Sequence, residues 1–179
     1  MTPAHLAYAL AATLLAHQPL PDTLDRLRPL RALIGTWATA DSFGTNDGSW
    51  IEHGVRRCAP ALEDAYIECV TTAPRRDGKP RAYRFFFTWD AARRGYTLLQ
   101  FWSDYPGYSQ MSLTIAPDGR SWDLRNITPV VRDGIERRNW HTITLESPDR
   151  LVWSGRANTS DQPPDRWTPV FREISTRTR

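Results

Sequence analysis

The dipeptide Asp-Gly occurs four times in this chain, at Asp47-Gly48, Asp77-Gly78, Asp118-Gly119 and Asp133-Gly134. Each copy lies between two runs rich in Thr, Val, Ile, Trp, Tyr and Phe. Asp-Gly tolerates the left-handed backbone of a two-residue hairpin turn, so flanked this way it is the strongest short-range signal for antiparallel pairing. Further breaks fall at 91–95, 105–107, 147–149 and 159–165. The pattern predicts ten strands, near 36–43, 49–58, 65–73, 81–89, 95–103, 108–116, 120–128, 135–146, 150–157 and 166–174. Strands joined in order by short turns make an up-and-down meander, and a sheet of that width removes its edges by curling shut. The expected fold is all-β: an antiparallel barrel of about ten strands. A parallel α/β fold is excluded because no crossover helix separates the strands. A β-sandwich, the structural rival, would need longer Greek-key connections.

The 179 residues, 40% of them hydrophobic, suffice for one core and not for two. Eight of the ten strands carry one Trp each, a bulky anchor per strand. The net charge of +3 is spread along the sequence without a basic stripe, so nucleic-acid binding is not expected. Leu6 to Ala16 is an apolar run of signal-peptide length, well short of the roughly 20 residues that span a bilayer. Residues 1–22 are therefore read as a leader and 23–179 as one barrel domain, giving an exported protein without an integral membrane segment. The alternative is a cytoplasmic protein whose apolar run is an ordinary helix. Asp22 or Thr23 can cap a short helix carrying Leu24, Leu27 and Leu30, cut short by Pro29.

Cys58 and Cys69 flank a turn centred on Pro60 to Asp64. If the strands on either side pair, the two side chains reach the same rung on one face, where a disulfide can form. That pairing suits an oxidising compartment, and two free buried thiols are the alternative. No Cys/His spacing suggests a metal site.

Gly35-Thr36-Trp37 opens the first strand just after the short helix, and it resembles the Gly-x-Trp opening of lipocalins and the wider calycin group. The longer phrase Leu33-Ile34-Gly35-Thr36-Trp37 is similar to the opening of bacterial lipocalin-like domains of this size. The resemblance covers the layout from about residue 24 onward. It implies that Gly35 and Trp37 are structural. It also implies that an Arg on the last strand, Arg172, packs across Trp37 as a cation–π cover and closes the barrel floor.

Catalytic signatures such as Gly-x-Ser-x-Gly, a phosphate loop or His-Glu-x-x-His do not occur. The strand 135–146 is the informative one. Period-two alternation places Arg137, Asn139 and His141 on the same face as Ile135, Ile143 and Leu145, with Arg138 on the other. Inward polar groups need partners, and a ligand carboxylate or phenol would supply them. The alternative puts Arg137 at the open rim. Tyr83, Phe85 and Phe87 alternate along the fourth strand and Met111 lies on the sixth, forming either the apolar body of a pocket or plain core. His53 alternates with Ile51 and Val55, so it too is read as inward. Two inward histidines would permit haem ligation, as in some ten-stranded calycin-like barrels, although the reading adopts no cofactor. The loop from Trp102 to Tyr108 is either a cover for the mouth or a packed turn.

The expected function is binding of a small, partly apolar molecule with a polar or anionic end. One alternative is an isomerase or lyase on the same barrel with His141 as general acid or base. Another is a filled barrel acting as an interaction module.

Overall fold

A computed structural model describes residues 26–45, 48–75, 77–103 and 105–178, and these form one short helix and eleven strands. The expected leader, its capping residues and Leu24 lie outside the described residues, as do Asp47 and Asp104. A 3-10 helix, Arg28–Leu33, leads into β1 (Gly35–Thr45), β2 (Gly48–Ala61), β3 (Tyr66–Pro74), β4 (Pro80–Asp90), β5 (Gly95–Trp102) and β6 (Tyr105–Ile115). Then follow β7 (Ser121–Asn126), β8 (Val130–Arg132), β9 (Ile135–Ser147), β10 (Arg150–Thr159) and β11 (Thr168–Arg177). Every pairing is antiparallel, and β11 returns to β1, so ten strands close a barrel. Among the described residues no helix is long and apolar enough to cross a membrane.

The strand not expected from sequence is β8, three residues that pair only with the start of β9. It resumes the line of β7 after a break containing Pro129, which has no N–H for the ladder. The Asn126 side chain fills the gap. Its Oδ1 accepts from the backbone N–H of Asn139, and its Nδ2 donates to Ser109 Oγ at 2.7 Å. Asp133-Gly134 turns β8 into β9 with both residues at positive φ, 51° and 76°, as the hairpin signal predicted.

The interior is layered. At one end Leu27, Leu30 and Leu33 of the helix region plug the barrel against Trp37, and the middle is filled by Trp122, Phe87, Leu98, Met111 and Leu124. Trp37 Nε1 donates to the Leu33 carbonyl at 2.8 Å, which satisfies an acceptor left over at the helix end. Arg172 does not cover Trp37. It is exposed on the outer face, and the guanidinium over the indole, at 4.1 Å from the ring centroid, belongs to Arg177. The pairing Trp37↔Arg177 explains the difference, because β11 runs far enough to place its last residue, not its middle, beside the floor. Gly35 belongs to the same clasp. It sits at φ 134°, and a Cβ there would lie 2.3 Å from Arg177 Nη1.

Cys58 and Cys69 face each other across the β2–β3 ladder, buried, with sulfurs 2.04 Å apart, at disulfide distance. Three consecutive non-glycine residues in the connecting turn, Leu62, Glu63 and Asp64, hold positive φ, a conformation that costs roughly 1 kcal/mol or more each. A cross-link three rungs away holds that hairpin together. Replacing both cysteines with serine should lower stability by roughly 2–3 kcal/mol in urea unfolding, from loop entropy. Unreduced protein should show no free thiol after denaturation, and full labelling would refute the pairing.

Candidate functional site

At the end away from the helix, the barrel encloses a cavity of about 280 Å³. Its walls are mainly aromatic: Phe43 from β1, Tyr83 and Phe85 from β4, Trp102 from β5, Trp153 from β10 and Phe171 from β11. Gly155 makes room for this packing, since a Cβ there would come within 2.2 Å of the Phe171 ring. From the sequence-derived set, Arg137, Asn139, His141, Tyr83 and Phe85 all line the cavity. Phe87 and Met111 do not: both are fully buried in the packed core. His53 is exposed on the outer face, so the second inward histidine that haem ligation would have used is missing from the interior. Among the described residues of the mouth loop Trp102 lines the cavity, while Tyr108 is exposed on the outside.

A row of three carboxyl groups was invisible in the local pattern. In register, Asp41 of β1 stands between Glu52 of β2 and Glu173 of β11, and all three are buried. Two of them have guanidinium partners. Arg56 pairs with Glu173, donates through Nε to Thr71 Oγ1 at 2.9 Å, and lies 4.9 Å from the Trp153 ring centroid and 5.3 Å from that of Phe85. Ser175 Oγ donates to the other Glu173 oxygen. Arg81 meets Glu52 at 3.1 Å and donates to the Tyr83 hydroxyl at 2.9 Å. Asp41 is the third acid. Burial, then the neighbouring Glu173 charge, push its pKa up to about 8 against the opposing pull of Arg56. Asp41 therefore holds its proton at neutral pH. Of these groups the Arg56–Glu173 pair and the neutral Asp41 line the cavity, with Gln100 as a further polar group on its wall.

His141 is a further buried polar residue on the cavity wall. Phe171 and Trp153 pack edge-on against its ring at 5.1 and 6.0 Å between centroids. Burial first, and Arg137 second, push its pKa down to about 3, so the imidazole is neutral across the physiological range. Its Nδ1 is buried and has no hydrogen-bond partner among the described residues. Arg137 lies further out: it is exposed at the rim, with Nε donating to Asn139 Oδ1 at 3.0 Å. A cluster of three or more metal-ligating side chains does not occur among the described residues.

The fold is similar to the crystal structure of Rv2717c from M. tuberculosis, at a TM-score of 0.57 and 15% identity over 86% of this chain and 97% of that one. That likeness is one of fold. A redesigned β-barrel, b11L5F_LGL, matches at a TM-score of 0.45 and 14% identity, over 85% of this chain and 96% of its own. EF1p2_mFAP2b bound to DFHBI matches at 0.44 and 13%, over 84% and 98%. No protein-family model and no curated protein matches the sequence.

Proposed function

We propose that this protein is a binding barrel for a small, partly aromatic molecule held in the cavity at its open end, with Arg137, Asn139 and His141 orienting the polar part. The observation that carries the reading is an aromatic-walled cavity at the open end of the barrel, lined also by Arg137, Asn139 and His141. An apolar cavity with a few convergent polar side chains on its wall is the usual form of a small-molecule site. A volume of 280 Å³ lies at the lower end of the range for small-molecule sites, which favours a ring with short substituents. The same space weighs against a fully filled barrel. A general acid–base role for His141 is disfavoured, because a base with a pKa near 3 takes up protons poorly at neutral pH.

The cysteine pair supports residence in an oxidising compartment, and hence export. The Gly35–Trp37 opening with its cationic cover supports kinship with lipocalin-like barrels. No resident cofactor is part of the reading.

Native mass spectrometry of freshly purified protein should reveal a co-purified small molecule. With a simple aryl carboxylate as probe, Arg137→Ala should weaken binding by roughly 1 kcal/mol, about fivefold, since a rim guanidinium is partly screened by water. Arg138→Ala, one residue along and exposed, is the control and should leave the affinity unchanged. Equal losses from both substitutions, or a loss from Arg138 alone, would refute the assigned orientation.

A further inference from the structure

We propose that Gln100 is the recognition residue of the cavity and selects a neutral heteroaromatic ring that carries a hydrogen-bond donor and an acceptor on neighbouring atoms. A cyclic amide is the simplest such ligand. The proposal rests on the binding reading above and adds the chemical class and a polar anchor outside β9.

Alternation along β5 turns Leu98, Gln100 and Trp102 toward the interior, and Gln100 is the amide-bearing member of that set. Its side chain is 3% exposed, lines the cavity, and makes no hydrogen bond to another described residue. Unlike Nδ1 of His141, neither polar atom of its carboxamide is sealed off, so the amide can be met from the cavity. Buried polar side chains nearly always have partners, and this one lacks a protein partner at both its oxygen and its nitrogen. Its polar neighbours on the wall are engaged. Glu173 holds Arg56 and Ser175, Arg56 also holds Thr71, and Asp41 hydrogen-bonds Glu173.

What meets this amide must match both of its ends. The carboxamide accepts at Oε1 and donates at Nε2, side by side in one plane. A carboxylate can only accept and would leave Oε1 unmet, and an ammonium can only donate and would leave Nε2 unmet. A ring with N–H beside C=O, or an amino group beside a ring nitrogen, pairs with both atoms through two parallel hydrogen bonds. Glutamine meets the edge of adenine in this way. Charge argues in the same direction. Arg56 and Glu173 match each other, and Asp41 keeps its proton at neutral pH, so this part of the wall has no unmatched charge for an ion. The walls suit a flat ring. Phe85 is the register partner of Gln100 on β4, and Trp102 stands two residues along on the same face. Phe171 holds the opposite wall, because β5 and β11 lie five strands apart in either direction around the barrel.

The test titrates four flat probes at pH 7 by calorimetry or tryptophan quenching: quinolin-2-one, its N-methyl derivative, 2-naphthoate and 2-naphthylmethylamine. Quinolin-2-one should bind tightest, about tenfold better than the N-methyl derivative, which keeps the carbonyl and lacks the donor. Gln100→Leu should bring quinolin-2-one down to the affinity of the N-methyl derivative. Gln100→Met, unbranched and of similar length, should lose the preference equally and covers poor packing of the Leu variant. Without ligand, the better-packed of the two should melt no lower than wild type, since the amide has no protein partner to lose. Clearly lower midpoints for both would overturn the proposal by showing that the amide holds the fold together. A preference that survives the substitutions would overturn the role of Gln100, and tightest binding of 2-naphthoate or 2-naphthylmethylamine would overturn the class. If none of the probes binds but native mass spectrometry finds another molecule in the protein, the class is wrong and the binding reading stands. If neither is seen, both fall.

Discussion

Arg177→Ala should destabilise the barrel by on the order of 2–4 kcal/mol, whereas Arg172→Ala should change its stability by less than about 0.5 kcal/mol. Arg177 is the clasp of the closed end. Its guanidinium donates to the Ile34 carbonyl at 2.7 Å, the Ala32 carbonyl at 2.9 Å and the Pro148 carbonyl at 3.1 Å, while lying over the Trp37 ring. It thus ties the end of the helix, the first strand and the β9–β10 turn to the last strand. Removing it leaves those carbonyls without a charged donor and opens a space beside Gly35 that no side chain refills. The side chain is 26% exposed, so the upper figure already allows for solvent screening. Arg177→Lys keeps the charge but cannot reach three separate acceptors from one planar fork, and should lose most of the same stability. Urea unfolding of the three variants decides the matter. A large loss with Arg172→Ala and none with Arg177→Ala would reverse the assignment of the clasp.

Asp41→Asn should leave the protein about as stable as wild type at pH 4 and make it more stable at pH 8, by several kcal/mol on an order-of-magnitude scale. In the unfolded chain Asp41 ionises near its ordinary value of 3.8, while in the barrel it keeps its proton up to about 8. Between these values the unfolded state binds fewer protons than the folded state, so rising pH lowers stability by about 1.4 kcal/mol per pH unit. Asparagine has nearly the shape of the protonated acid, can still donate toward Glu173, and never ionises. His141 acts in the opposite direction. Neutral in the barrel down to about 3 but protonated in the unfolded chain below 6.5, it lowers stability as pH falls through that interval. In wild type the two slopes offset each other between about pH 4 and 6.5, and the Asp41 slope alone remains from 6.5 to 8. The variant should instead gain stability up to pH 6.5 and stay level above it. Thermal midpoints across pH 4–9 measure this directly. A variant less stable than wild type at pH 8 would mean that Asp41 is ionised and paired with Arg56.

The site was half legible before the structure. On β9 the alternation placed Arg137, Asn139 and His141 together, and they do face one cavity. On β2 the same logic put Ile51, His53 and Val55 inside, yet Glu52, Gly54 and Arg56 hold the inner face while Ile51 is 54% exposed. Apolar-inside patterning fails there because the inner wall at the open end is polar. Its charges are affordable only through partners on β3, β4 and β11, which lie 15 to 117 residues from them in sequence. The Arg172 expectation failed for a related reason: which residue of the last strand meets Trp37 depends on where the barrel closes.

Ten strands, their order and most of their turns were determined by the sequence itself, because alternation and Asp-Gly chemistry act over two to four residues. β8 escaped because three residues beside a proline carry too little pattern to register. The tertiary structure alone decided the register of β11 on β1, the Arg177 clasp, the row of three carboxyl groups and the cavity beside them. Each of these is a relation between strands, and a one-residue slip at the closure would turn every one of those side chains to the other face.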